Sequence, residues 1–166
     1  ESTCGTYSAP SGNSVGWVWN AGSSNTSVSA GDLNEDDEIA GNYVADMTGT
    51  IRGTGWEWAN LFDGNKTTAS APGVNGNWIF TPSSSIAFTT LAVYAYKDGT
   101  PGTLEINGTD VTSQIANHNG IGPNQRTVIT GITSPLTSLK SISLANLSNV
   151  PVAAIEIDGE LLVQNL

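Results

Sequence analysis

The sequence has very few charged residues, and basic side chains are the scarcest of them. Charged residues make up 12% of the chain, whereas an average soluble domain has about 25%. The 166 residues carry a net charge of −10 and include only five lysines and arginines, which are scattered along the chain. Nucleic acids and anionic membranes are bound by clustered basic side chains, so neither partner is expected.

Cysteine, histidine and long apolar runs are also nearly absent. Cys4 has no second cysteine with which to form an internal disulfide, so a disulfide scaffold is excluded. Together with the single histidine, His118, it cannot supply the ligands of a usual zinc site. No apolar run approaches the roughly 18 residues that indicate a membrane-spanning helix.

These shortages also argue against an enzyme. His118 lies in a stretch rich in Asn and Gly, and the chain has no phosphate-binding glycine motif. A glycosidase would need only two carboxylates, such as Glu57 and Asp63. Small all-β glycosidases, however, carry more aromatic residues and more paired acids than this chain does. We therefore expect a non-enzymatic protein.

Short strand patterns separated by turn residues fill the chain from about residue 46 onwards. The stretch TLAVYAY (90–96) alternates between two faces, and the pairs Asn107-Gly108 and Asp158-Gly159 predict tight β-hairpins. The pattern predicts an all-β antiparallel sandwich or jelly roll over residues 46–166. Residues 1–45 form an N-terminal extension, for which a linker, a docking segment and additional strands are the alternatives. The predicted core consists of Leu61, Phe62, Trp78, Ile79, Phe80, Leu91, Val93, Leu104, Ile106, Val128, Ile142, Leu144, Ile155 and Ile157.

The stretch NLFDGNKTTA (60–69) contains a candidate metal site. Asp63 and Asn65 flank Gly64, and Thr68 follows, so oxygen ligands for a hard cation such as Ca²⁺ recur at short intervals. Glu156, near the end of the chain, is a candidate for a second carboxylate. The alternative is an ordinary turn in which Asp63 bonds to the backbone two residues on. Spacing alone favours the turn, because Asp-Gly turns are common and calcium loops are rare.

The stretch LFDGNKTT, followed by strands and closed by AAIEIDG, resembles the discoidin-like, galactose-binding jelly roll. In that family a loop of the form apolar-Asp-Gly-Asn/Asp-x-x-Thr binds Ca²⁺, and a glutamate near the last strand joins it. The resemblance implies a discoidin-like sandwich in which Asp63, Asn65, Thr68 and Glu156 form a calcium site.

Residues 56–166 also resemble domains that recur in virion proteins of marine and cyanobacterial tailed phages. The stretches TLAVYAY, LEINGTDVTS and AIEIDGELLV carry this resemblance. It implies an extracellular, non-enzymatic structural protein of the virion surface, either a tail-fibre-like module or a capsid decoration protein. Such a protein is expected to form a homotrimer, to contact other virion proteins and to bind host-surface glycans.

The alternative function is a free carbohydrate-binding module of a secreted or cell-surface protein. This function requires an exposed aromatic platform with polar neighbours, for which Trp56, Trp58 and Tyr43 are the candidates. Trp56 and Trp58 are two residues apart, so an extended strand would place both on one face. The opposing interpretation is that these rings close one end of the sandwich.

Overall fold

The computed structural model describes residues 38–97, 102–118, 125–144 and 150–165. Within these residues the helices are short 3-10 turns, at Tyr43–Asp46, Trp58–Leu61 and Thr112–Gln114, and none is long and apolar enough to cross a membrane. The strands are β1 (Glu38–Gly41), β2 (Met47–Gly49), β3 (Asn77–Phe80), β4 (Leu91–Ala95), β5 (Thr103–Ile106), β6 (Thr109–Asp110), β7 (Arg126–Val128), β8 (Leu139–Ile142), β9 (Val152–Ile157) and β10 (Glu160–Gln164).

The strands form two five-stranded sheets that enclose one main core. Sheet A has the strand order β1-β10-β9-β4-β7, and sheet B has the order β2-β3-β8-β5-β6. Neighbouring strands are antiparallel, except that β1 pairs in parallel with β10 at the edge of sheet A. The predicted all-β sandwich, built mainly from antiparallel strands, is therefore confirmed.

The sandwich begins before residue 46. Strand β1 and the 3-10 helix Tyr43–Asp46 both precede the predicted boundary, and Glu38 of β1 is paired with Leu161 of β10. Four residues are too few to show a strand period in the sequence, which is why β1 was not predicted. The rest of the predicted N-terminal extension, residues 1–37 with Cys4, lies outside the described residues.

The two predicted hairpin turns are present. Asn107-Gly108 connects β5 to β6, and Asp158-Gly159 connects β9 to β10. The backbone angle φ is positive at all four residues, with values between 50° and 101°. Positive φ at both central positions gives a turn whose twist matches that of the flanking strands, which explains the preference for Asn-Gly and Asp-Gly.

The predicted core is largely confirmed, with two exceptions. Val128 is 44% exposed because it lies on the edge strand β7, and Leu144 is 53% exposed because it follows the end of β8. Ile79 and Ile142 are partly buried. The other ten predicted residues are buried: Leu61, Phe62, Trp78, Phe80, Leu91, Val93, Leu104, Ile106, Ile155 and Ile157.

At its central strands, sheet A is covered on its outer face as well as on its inner face. Strands β4 and β9 are buried at every position. A second, smaller apolar cluster lies outside the main core and includes Tyr94, Leu161 and Val163 of sheet A. Trp56 and Ala69 pack against this cluster from the segment formed by residues 56–70, which we call the covering segment. This segment contains both stretches that the sequence indicated as sites.

Gly49 lies where the backbone of β2 comes very close to that of β3, so a substitution there tests whether the fold requires this approach. Its φ is 108°, and a Cβ at this position would lie 2.2 Å from the backbone oxygen of Asn77. Gly49→Ala should lower the free energy of unfolding by about 3 kcal/mol or more, because a strained φ and a backbone clash combine. Denaturant unfolding followed by tryptophan fluorescence would measure this loss.

Gly53→Ala is the matched control for that substitution. Gly53 also has a positive φ, of 138°, but a Cβ there would meet nothing within 4 Å. The control should therefore lose only about 1–2 kcal/mol, from the strained φ alone. Equal losses in the two variants would show that the approach of Asn77 to Gly49 does not constrain the fold.

Candidate functional site

Tyr43, one of the three aromatic residues predicted to bind carbohydrate, lies in the main core. It is 9% exposed, and its ring centroid lies 5.3 Å from that of Phe62 and 5.8 Å from that of Phe80. Burial and, to a smaller extent, the nearby Asp46 carboxylate raise the pKa of Tyr43. Contrary to the expectation from sequence, Tyr43 is therefore not part of an exposed aromatic platform.

Trp56 and Trp58 do not lie on an extended strand, so the common face expected for them does not form. Trp58 begins the 3-10 helix Trp58–Leu61, in which side chains no longer alternate between two faces. Trp58 packs against the main core, whereas Trp56 packs against the smaller cluster outside sheet A. The guanidinium carbon of Arg52 lies 4.8 Å from the Trp56 ring centroid and covers that ring.

A groove beside Trp58 has the size and lining of a small-ligand site. Its volume is about 530 Å³, which falls within the range of about 300–1,000 Å³ common for such sites. The Trp58 indole and the side chain of Ile51, which is 38% exposed, supply apolar surface. Thr50 and Glu57 are the lining residues with polar side chains, and the Thr50 hydroxyl donates a hydrogen bond of 3.4 Å to the backbone oxygen of Asn77. The complete lining is Val44, Gly49, Thr50, Ile51, Glu57, Trp58 and Ala59.

Glu57 and Trp58 both line the groove, and they differ in whether their polar groups are hydrogen-bonded. Oε1 of Glu57 accepts a hydrogen bond of 2.9 Å from the backbone N–H of Gly55. This bond, and a second one from its own backbone N–H, lower the pKa of Glu57, so its carboxylate is ionised at neutral pH. The indole N–H of Trp58 is buried and has no acceptor among the described residues.

Three of the four predicted calcium ligands meet in one loop, formed by residues 63–68, which we call the Asp63 loop. Oδ1 of Asp63 accepts a hydrogen bond of 2.8 Å from the backbone N–H of Asn65, and Oδ2 accepts one of 2.6 Å from the Thr68 hydroxyl. Gly64 permits the bend with a φ of 72°. These bonds are those of the turn that the sequence left as the alternative to a cation loop.

Glu156, the fourth predicted calcium ligand, is bound elsewhere. Its side chain is 7% exposed. Nε of Arg126 lies 3.0 Å from Oε1 and 2.9 Å from Oε2, and Nη2 of Arg126 also contacts Oε1. The Tyr94 hydroxyl donates a further hydrogen bond of 3.0 Å to Oε2. Glu156 is therefore not available to the Asp63 loop as a second carboxylate.

The predicted four-residue calcium site consequently does not fit this arrangement. The Asp63 loop offers oxygen atoms of the type that Ca²⁺ prefers, but Asp63 is its one carboxylate, and Glu156 is held by Arg126. Across the described residues, no group of three or more His, Cys, Asp or Glu side chains could hold a metal ion. Calcium binding by the loop alone stays a prediction from the resemblance.

The ionisation of Glu156 is controlled mainly by Arg126. The hydrogen bonds from Arg126 lower the pKa of Glu156 most, while burial opposes them; the Tyr94 hydroxyl and the Lys66 ammonium add smaller lowering effects. The same contact raises the pKa of Arg126. Lys66 belongs to the Asp63 loop, and its ammonium lies 5.0 Å from the Tyr94 ring centroid.

Comparisons with known proteins give likenesses in structure but none in sequence. No protein-family model matches the chain, and no curated protein matches it. One similar solved structure is CpGH89CBM32-6 produced by Clostridium perfringens, with 18% identity, a TM-score of 0.39, and coverage of 71% of this chain and 99% of that chain. Another is a selenomethionine-labelled mutant of chitosan-binding module 1, derived from a chitosanase/glucanase from Paenibacillus sp. IK-5. Its identity is 15% and its TM-score is 0.39, with coverage of 70% of this chain and 97% of that chain.

The Glu156–Arg126 pair should make stability depend on pH in the acid range. Because the pKa of Glu156 is lowered from an ordinary value of 4.5, the stabilisation is fully present above that pH. It is lost as the pH falls through the lower pKa of the folded state. Glu156→Gln should therefore unfold at a lower temperature than the wild type at neutral pH, and the difference should shrink below about pH 4.

Thermal unfolding measured from neutral to acid pH would check this expectation. Glu105→Gln is the control, because the Glu105–Lys140 pair is partly exposed and its N–O distance is longer, at 3.7 Å. Exposed pairs contribute little, so this control should differ only slightly from the wild type at any pH. A deficit of Glu156→Gln that does not change with pH would contradict the assignment.

Proposed function

We propose that this domain is a non-catalytic module that binds carbohydrate in the groove beside Trp58. The observation that carries the proposal is one groove whose lining combines Trp58 and other apolar residues with two polar residues, Thr50 and Glu57. A sugar ring presents apolar C–H surface on its faces and hydroxyl groups around its edge. A groove that is mostly apolar and has a few oriented polar groups matches both features.

Trp58 would supply the surface against which the sugar ring stacks. Its indole is packed partly against the main core. A side chain that is already held in place loses little conformational entropy on binding, which favours affinity for a small ligand.

Glu57 would orient the sugar through its hydroxyl groups. One of its carboxylate oxygens is held by the Gly55 N–H, so the other can accept hydrogen bonds from ligand hydroxyls. Glu57 is the charged residue in the groove lining, and the whole chain carries a net charge of −10. We therefore expect neutral or amino-bearing glycans to bind in preference to glycans with carboxylate or sulfate groups.

The proposal includes two alternatives for the kind of protein to which the module belongs. One setting is the virion surface, where a homotrimeric tail-fibre-like or decoration module would contact other virion proteins and a host glycan. The other is a free carbohydrate-binding module of a secreted or cell-surface protein. The two settings differ in assembly, so the mass of the purified chain in solution would separate them: a trimer favours the first and a monomer favours the second.

Substitutions in the groove should weaken glycan binding without unfolding the domain. A glycan array would first identify a ligand for the wild type, and titration calorimetry would then compare the variants. Trp58→Ala should lose at least about 30-fold in affinity, because a central aromatic contact is removed. Glu57→Gln should lose about 10-fold, because a charged hydrogen-bond acceptor is replaced by a neutral one.

Trp56→Ala is the matched control for these substitutions. It removes the same side chain two positions away, from a ring that packs outside the groove. This variant should keep the affinity of the wild type, provided that thermal unfolding shows it to be folded. Silence of the folded wild type on the array, or equal losses in Trp56→Ala and Trp58→Ala, would refute glycan binding at this groove.

A further inference from the structure

Glu156 is a buried carboxylate that requires a positively charged partner. Its side chain lies on the outer face of sheet A, where Glu156 pairs with Ala92 of β4 on one side and Leu161 of β10 on the other. The covering segment withdraws this face from water. An ionised carboxylate in such a place is strongly unfavourable unless a cation and hydrogen-bond donors compensate for the lost hydration.

Arg126 provides that charge from the far side of β4. Arg126 is paired with Tyr94, and Glu156 is paired with Ala92, so both side chains project from the same face of the sheet with β4 between them. The small side chain of Ala92 leaves room for the guanidinium to cross the strand. Arg126 then contacts both oxygens of Glu156, which is the mode of binding that a planar guanidinium favours.

Lys66 adds a second positive charge from the Asp63 loop itself. Its ammonium lies over the Tyr94 ring, and the Tyr94 hydroxyl donates to Glu156. The four side chains Lys66, Tyr94, Glu156 and Arg126 therefore form a continuous chain of contacts from the loop through β4 and β9 to β7. The protein has only five lysines and arginines in all, and two of them take part in this network.

We propose that Arg126 and Lys66 take the place of a metal ion at Glu156, so that the Asp63 loop is fastened to sheet A without a metal ligand on the sheet. The discoidin-like resemblance implies a calcium ion shared by the loop and this glutamate. In this chain the arginine on the edge strand β7 occupies both oxygens of the carboxylate. The fastening then depends on charges that belong to the chain and not on the calcium concentration around it.

Thermal unfolding in millimolar Ca²⁺ and in a calcium chelator would test this proposal. The wild type should have the same melting temperature in both. Arg126→Gln should lower the melting temperature by about 5–10 °C in both conditions, because Glu156 loses its partner. Lys140→Gln is the matched control: it breaks the partly exposed pair with Glu105 and should shift the melting temperature by less than about 3 °C.

A second variant keeps the test decisive if Arg126→Gln does not fold. Arg126→Gln combined with Glu156→Gln removes both charges, so no unpaired carboxylate remains buried. This double variant should melt at a higher temperature than Arg126→Gln, which measures the coupling between the two side chains. If Arg126→Gln does not fold, a folded double variant is the equivalent result. The proposal would be overturned if the melting temperature of the double variant fell by the sum of the decreases in the two single variants. It would also be overturned if Arg126→Gln were as stable as the wild type.

Melting temperatures measured with and without Ca²⁺ also distinguish an ion bound at Glu156 from an ion bound within the Asp63 loop. A rise in the wild-type melting temperature with Ca²⁺ that disappears in Glu156→Gln would make Glu156 a metal ligand and overturn the proposal. A rise that persists in Glu156→Gln and disappears in Asp63→Ala would place an ion within the loop, so that the attachment of the loop depends on calcium, and would overturn the proposal as well. None of these outcomes depends on glycan binding, so this proposal and the function proposed above can fail independently.

Discussion

The central strands of sheet A are buried on both faces, and the rest of the domain is shaped by this constraint. Sheet B covers the inner face of β4 and β9, and the covering segment, residues 56–70, lies over the outer face. A strand buried on both sides cannot leave a polar side chain to water. Each polar group on the outer face must therefore find its partner inside the protein, as Glu156 does with Tyr94 and Arg126.

The covering segment brings two unrelated tasks close together in sequence. Its first part contains the 3-10 helix Trp58–Leu61. Trp58 packs against the main core and also lines the groove. Its second part, the Asp63 loop, carries Lys66 over the Tyr94 ring. The binding role proposed for Trp58 and the attachment proposed for Lys66 thus fall to different residues of one segment.

A guanidinium group and a calcium ion can both compensate the negative charge of a buried carboxylate, but they differ in the ligands that they require. Ca²⁺ requires about six to eight oxygen ligands, whereas the Asp63 loop offers one carboxylate and would depend on neutral side-chain and backbone oxygens for the rest. Arginine keeps its charge at every physiological pH and is tethered to its own strand. Its use at Glu156 makes the attachment of the loop a property of the folded chain alone.

The sequence by itself determined the all-β class, the hairpins and most of the core, because strand alternation and turns such as Asn107-Gly108 depend on neighbouring residues. It grouped Asp63 with Asn65 and Thr68 as metal ligands, which stays a prediction, and hydrogen bonds from Asn65 and Thr68 to Asp63 close the loop that they share. Only the tertiary structure decided the partner of Glu156. Arg126 is 30 residues away and meets it because β7 and β9 both pair with β4. Likewise, the spacing of Trp56 and Trp58 in the sequence did not predict the 3-10 helix that begins at Trp58. This helix puts the two side chains in different surroundings.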